Sequence, residues 1–247
     1  MAGDEWVKMP GEPERWMREL DQGFEIKVPY VADERRRLAA TIKVGLKFNS
    51  SSSFADRLVS IRDYLSRALS VLTPDTESQL EGLIAALLEV WAKDRSVYLC
   101  GNGGSAANAI HLANDFLYGV GVRKGRGLRV EALSANPAIV TCLANDLGYD
   151  NIFSAQLHVK GAPGDVLIAL SGSGNSPNII KAIERANAIG MKTFAILGFS
   201  GGKCKDLAQT SLHFPINDMQ IAEDLQTVVG HICMQRLLAE SYHEELV

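Results

Sequence analysis

From residue 54 to 72 the apolar positions Leu58, Ile61, Tyr64, Leu65, Leu69 and Leu72 recur at helical spacing. That spacing places one apolar stripe along a helix. The stretch "TPDTESQ" over 73–79 supplies a proline and capping residues, and a second amphipathic stretch runs on to about Trp91. The pattern predicts two antiparallel helices ahead of the first strand. From Ser96 the rhythm changes. Short, continuous apolar runs fall at 97–100, 128–133, 166–170, 193–197 and 212–216, with helical segments between most of them. Runs of that kind are strands buried on both faces, and their alternation with helices predicts an α/β fold: an open parallel sheet with helices on both faces, preceded by the helical pair. A long helix from Met219 to about Tyr242 closes the chain.

Residues 1–53 read differently. They are rich in charge, including "DERRR" at 33–37, and end in the serine tract "NSSSS" at 49–53. Polar serine tracts behave as linkers. The expected organisation is a charged N-terminal extension over 1–53, partly disordered or packed on a partner subunit, and one domain over 54–247. The 247 residues are 47% hydrophobic, enough for a sizeable core, and the net charge is −4. That balance provides no electrostatic footprint for nucleic acid or an anionic membrane. No apolar run approaches the roughly 18 residues of a membrane span. The N-terminus lacks the apolar core of a signal peptide, and the four cysteines are scattered without a CxxC pair. A reduced, cytoplasmic protein with buried thiols is the expectation.

Two glycine loops carry the chemistry. "GNGGS" (101–105) follows the first apolar strand, and "SGSGNS" (171–176) follows the third. In open parallel sheets ligands bind at the carboxyl ends of strands, where helix N-termini present unpaired N–H groups to anions. Ser171, Ser173 and Ser176 each add a hydroxyl that can donate to a phosphate oxygen. Neither loop carries a lysine, and GxxxxGK[ST] and GxGxxG are both absent. A phosphate on a small molecule fits better than a nucleotide. His111 and Asp115 are spaced i, i+4 on the helix after the first loop, which places them on one face. Glu223 and His231 sit on the last helix about 80° apart, so a long Glu arm can still converge with His231.

The order and spacing of "CGNGGSAANAIHLANDF", "CLANDLGYDNIFSAQL", "GDVLIALSGSGNSPNIIKAIERANAIGMKTFAILGFSGGK" and "EDLQTVVGHI" resemble the sugar isomerase (SIS) domain, and within it the phosphoheptose isomerases. The resemblance covers about 54–242 and does not extend to 1–50. It implies an aldose–ketose isomerase acting on a small-molecule phosphosugar, sedoheptulose 7-phosphate, through an enediol. It implies one zinc ion per chain at His111, Asp115, Glu223 and His231, with Asp115 as base and His231 as its acid/base partner. It further implies that Ser171, Gly172, Ser173 and Ser176 grip the phosphate. Asn102, Gly103, Gly104 and Ser105 would face the sugar, with Asn145, Asp146 and Glu223. A homotetramer with sites at subunit interfaces belongs to the same resemblance.

Two positions depart from the family's pattern. Asp115 stands where a Glu is usual and Glu223 where a Gln is usual. Oxygen ligands are kept, one arm is a methylene shorter, and one negative charge is added, so two carboxylates can neutralise Zn²⁺. Two other readings stand beside the isomerase. One is an isomerase for another phosphosugar. The other is a non-catalytic SIS protein of the kind that associates with the replication initiator, whose branch shares the "SAANA" of 105–109.

Overall fold

The computed structural model describes residues 60–121 and 126–243. The expected extension over 1–53, the residues up to 59, and so the boundary between extension and domain, lie outside the described residues. Helix α1 (Ile61–Leu69) starts where Ser60 caps it by accepting the Asp63 N–H at 3.1 Å. Helix α2 (Pro74–Ala92) starts at a reciprocal box in which Thr73 and Thr76 each satisfy the other's backbone N–H. These bonds fill donors that a helix start leaves unpaired.

Five strands follow in βαβ rhythm: β1 (Ser96–Cys100), β2 (Arg129–Ala132), β3 (Val166–Ser171), β4 (Lys192–Leu197) and β5 (Thr210–His213). All neighbours pair in parallel, in the order β2-β1-β3-β4-β5. The helices between and after them are α3 (Gly104–Asn114), α4 (Pro137–Leu147), α5 (Ser154–Lys160), α6 (Pro177–Ile189), α7 (Gly202–Leu207) and α8 (Met219–His243). Side chains alternate across the sheet with the strand period of two. Val97, Leu99, Val166, Ile168, Leu170, Phe194 and Ile196 join one core with α2, α3 and α8. Tyr98, Cys100, Leu167, Ala169, Ala195 and Leu197 join a second core with α5 and α6. The open parallel sheet covered on both faces is therefore the one the apolar runs predict.

Two expectations need correction. The run 212–216 was expected as a strand, but pairing ends at His213, opposite Leu197. Phe214 and Ile216 are buried for packing, at 2% and 8% exposure, and Pro215 between them has no N–H for a ladder. The thiols were expected to be buried; Cys100, Cys204 and Cys233 are, whereas Cys142 on α4 is exposed. No helix among the described residues is long and apolar enough to cross a membrane.

Helix α1 is tied to α8 by polar bonds. The Tyr64 hydroxyl donates to Asp224 at 2.7 Å, and Arg67 pairs with Asp218 at 2.6 Å. Desolvation and the bond to the Asp224 carboxylate push the Tyr64 phenol up to about 12. The apolar stripe of α1 faces outward, with Ile61 81% exposed and Leu69 66%. Its Leu65 and Leu69 line a groove of about 520 Å³ with residues of α2, β5 and α8.

Candidate functional site

Strands β1 and β3 are neighbours, and the sheet order reverses between them. Ligands of doubly wound sheets bind at that reversal, beyond the carboxyl ends of the strands. Here the loops after Cys100 and Ser171 flank a cavity of about 180 Å³ lined by Asn102, Ser105, Leu170, Ser171, Gly172, Ser173, Ser176, Met219 and Glu223. Gly103 turns the first loop into α3 at φ 55°, a conformation that glycine adopts without a Cβ clash. In the second loop Ser171 Oγ accepts the Gly174 N–H at 3.0 Å, and Ser173 Oγ accepts the Asn175 N–H at 3.3 Å. Ser176 precedes Pro177 at the start of α6, and its hydroxyl makes no cap bond. The cavity thus presents hydroxyls at a helix start, an arrangement suited to an anionic group.

Helices α3 and α8 run side by side away from this cavity. Gly104, at the start of α3, lies against the Glu223 carboxylate, so closely that a Cβ there would stand 2.5 Å from Oε1. Further along, Gly230 of α8 lies against Leu112 of α3, where a Cβ would stand 2.6 Å from Cδ1. This second close approach brings the helices together where their histidines sit. His111 Nε2 and His231 Nε2 are 2.9 Å apart. Each is 3.4 Å from Asp115 Oδ2, and the Asp115 side chain is only 14% exposed.

Asp115 opens a π-helical turn, Asp115–Gly119, marked by the Val120 N–H reaching back five residues to the Asp115 carbonyl at 3.0 Å. Such turns are frequent at functional sites. The shorter Asp arm does reach both imidazoles. Three electron-pair donors that face one another require either a shared proton or a cation. A tetrahedral zinc site with bonds of 2.0–2.1 Å has donor–donor edges of about 3.4 Å. Both His–Asp separations match that edge and the 2.9 Å His–His separation is about 0.5 Å short of it, so His111, Asp115 and His231 can hold such an ion once the imidazoles part by that much, with a fourth position open.

Residues 62–198 match the SIS domain. A curated phosphoheptose isomerase of Helicobacter pylori is 35% identical over 175 residues, 70% of this chain and 91% of its own. That of Rhodospirillum rubrum is 39% identical over 155 residues, 63% of this chain and 80% of its own. The solved phosphoheptose isomerase of Neisseria gonorrhoeae superposes with a TM-score of 0.61 at 28% identity, over 82% of this chain and 97% of that one. The chain belongs to the SIS domain family, in its phosphoheptose isomerase branch.

Within this SIS domain the expected site residues fall into two groups and a remainder. Asn102, Ser105, Ser171, Gly172, Ser173, Ser176 and Glu223 gather at the cavity, with Gly104 against Glu223. His111, Asp115 and His231 gather two turns further along α3 and α8. Glu223 does not join that cluster as the four-ligand expectation required. The 80° rotation allowed convergence, but eight residues also raise Glu223 about 12 Å along the helix from His231. Gly103 forms the turn without lining the cavity. Asn145 and Asp146 do not reach the cavity either: both are exposed on α4, where Asn145 donates to Asp146 at 2.8 Å. His213 bonds the Phe199 carbonyl at 3.0 Å and His158 is exposed, in keeping with roles outside the site.

Sequence reasoning missed three residues behind the cavity. Asn178 and Gln226 are buried amides that bond Asn102 and Ser105. Tyr149 is exposed and donates its hydroxyl to Asn102 Oδ1 at 3.0 Å. A helical position occupied by Asn or Gln where apolar residues flank it was the only signal for the first two.

Proposed function

We propose that this protein is a phosphoheptose isomerase that interconverts sedoheptulose 7-phosphate and D-glycero-D-manno-heptose 7-phosphate. The observation that carries the proposal is the hydroxyl-lined cavity at one end of the α3–α8 pair together with the His111–Asp115–His231 cluster further along it. The chain that holds them is 35% identical to a phosphoheptose isomerase over 91% of that protein's length. His111 lies six residues beyond Ser105 on α3, about 9 Å at 1.5 Å per residue. A long sugar phosphate can bridge that span, with its phosphate at Ser171, Ser173 and Ser176 and its C1–C2 end at the cluster.

Conversion of the ketose to the aldose moves one proton between carbons and one between oxygens. Asp115 takes a proton from C1 while the C2 carbonyl oxygen receives one from His231, which gives the enediol. The enediol then returns its O1 proton to His231 and receives the Asp115 proton at C2, leaving an aldehyde at C1 and a hydroxyl at C2. Both residues end as they began. Zinc held by His111, by Asp115 Oδ2 and by His231 Nε2 would supply Lewis-acid polarisation of the sugar oxygens, which leaves Asp115 Oδ1 and His231 Nδ1–H for the proton steps. Glu223, an acceptor at the cavity wall, takes a sugar hydroxyl in this reading and does not complete the metal shell.

The exposed stripe of α1 and the groove beside it support assembly with further copies of the chain as a homotetramer, readable by light scattering. The free cysteines support a reducing, cytoplasmic setting. The test of the function is isomerisation of sedoheptulose 7-phosphate with and without chelator, alongside metal analysis. Asp115→Asn is expected to lower kcat with a smaller effect on KM. Absence of conversion by the metal-loaded protein refutes the proposal, and full activity without metal refutes its zinc component.

A further inference from the structure

Asn102 lines the cavity, and its hydrogen bonds decide what it can offer a ligand. Its Oδ1 accepts the Asn178 N–H at 2.8 Å and the Tyr149 O–H at 3.0 Å, which fills both lone pairs. One of its own N–H groups donates to Asn178 Oδ1 at 2.9 Å. Only the second N–H remains for the cavity. Asn178 is 1% exposed and stands at the start of α6, so the bracing partner cannot swing away to water.

Ser105 shows the same device. Its Oγ accepts the Gln226 N–H at 3.0 Å, and Gln226 is likewise 1% exposed. The Gln226 carbonyl oxygen accepts in turn from Asn108 at 3.1 Å, which fixes the amide with its N–H toward Ser105. With one lone pair engaged from behind, Ser105 keeps its O–H free to donate forward and one lone pair beside it. Ser171 and Ser173 are engaged from behind by backbone N–H groups in the same sense.

We infer that Asn178 and Gln226 are positioning residues that set the hydrogen-bond polarity of the cavity, so that Asn102 presents a donor only and Ser105 is held with its O–H free to donate. The inference rests on the phosphosugar reading for the identity of the natural ligand, but the polarity itself is a property of the four side chains. A face biased toward donors favours oxyanion oxygens over groups that must themselves donate. Glu223 is the one carboxylate on the wall, so the hydroxyl-bearing part of a ligand turns toward it and the anionic part toward the serines.

The test exchanges polarity while keeping shape. In Asn178→Asp the side chain accepts from Asn102 but cannot donate to it, so the Asn102 oxygen loses its anchor and can turn toward the ligand; the added carboxylate charge acts on sulfate in the same direction, and the uncharged Tyr149→Phe separates the two effects. Binding of inorganic sulfate, which has acceptors and no donors, is measured by calorimetry on the intact chain, together with KM and kcat for sedoheptulose 7-phosphate. Wild type is expected to bind sulfate, and Asn178→Asp to weaken it about tenfold or more, the factor for one bond to a charged group. KM should rise similarly while kcat changes little.

Tyr149→Phe is the second variant, since Tyr149 is 55% exposed and its loss does not threaten folding. It frees one lone pair of Asn102 and should weaken sulfate in the same direction by a smaller factor. Sulfate affinity unchanged in both variants, or no sulfate binding by wild type, overturns the inference. Wild-type sulfate binding that falls in the variants, in a protein without isomerase activity, upholds the inference and overturns the phosphoheptose reading.

Discussion

Gly230→Ala isolates what the close approach of α3 and α8 does. The added Cβ would stand 2.6 Å from Leu112 Cδ1 and nearer still to Cδ2, against an ordinary contact of 3.4–4 Å, so the helices must part locally by more than 3.4 − 2.6, about 0.8 Å, or Leu112 must move. Leu112 is 1% exposed among core side chains, which are close-packed and resist such a displacement. Overpacking of this kind costs about 1–3 kcal/mol, while alanine gains up to about 1 kcal/mol over glycine in a helix interior. The net loss of stability is therefore modest, about 0–2 kcal/mol. The effect on the cluster is not modest. His231 is the next residue after Gly230 and His111 the one before Leu112, so the displacement falls directly on the 2.9 Å pair. Metal–ligand distances tolerate about 0.2 Å, less than a quarter of that shift. Gly230→Ala should thus lose zinc affinity by far more than it loses thermal stability. Zinc titration against a chromophoric chelator, with Tm read on the same samples, checks this. Wild-type zinc affinity in a folded Gly230→Ala protein refutes the claim that helix proximity builds the site.

Two further outcomes follow from charges away from the site. Hydrogen bonds and charge from Lys192 and Lys93 hold Glu89 well below the carboxylate range, at about 2 against an ordinary 4.5. The folded carboxyl is depressed, so its contribution is present above about pH 4.5 and fades as pH falls toward 2; the gap in denaturation midpoint between wild type and Glu89→Gln should shrink over that window, and a constant gap contradicts it. Asp146 accepts from Cys142 at 3.5 Å, and its bond and charge push that thiol up, so Asp146→Asn should speed alkylation of Cys142 at pH 8. The buried Cys204 and Cys233, raised to about 11 and about 12, should stay unlabelled in the native protein, and their labelling ahead of Cys142 counts against the description.

What the residues revealed in advance depended on the range of the signal. Strands buried on both faces write themselves as apolar runs, so β1, β3 and β4 were legible to within a residue or two, and with them the loops that carry Asn102, Ser171 and Ser173. The i, i+4 spacing of His111 and Asp115 is local and was equally legible. Contacts between helices were not. The rotation between Glu223 and His231 allowed convergence, yet their separation along the axis leaves Glu223 against Gly104. The stripe of Ile61, Leu65 and Leu69 had the period of a buried face, but period alone does not say whether the covering surface belongs to the same chain. Asn178 and Gln226 act through partners 76 and 121 residues away, and no spacing rule links them. The π-helical turn at Asp115 leaves no periodic trace either.

The central claim is that Asp115 moves a proton between C1 and C2 of a heptose phosphate. Its most direct test is to incubate sedoheptulose 7-phosphate with the metal-loaded protein in D₂O and follow the sugar by NMR. The expected result is D-glycero-D-manno-heptose 7-phosphate, formed by wild type and strongly slowed in Asp115→Asn, with deuterium at C2 in the fraction of turnovers in which the proton on Asp115 exchanges with solvent before its return. Unchanged sedoheptulose 7-phosphate with wild type, or equal rates for wild type and Asp115→Asn, would contradict it.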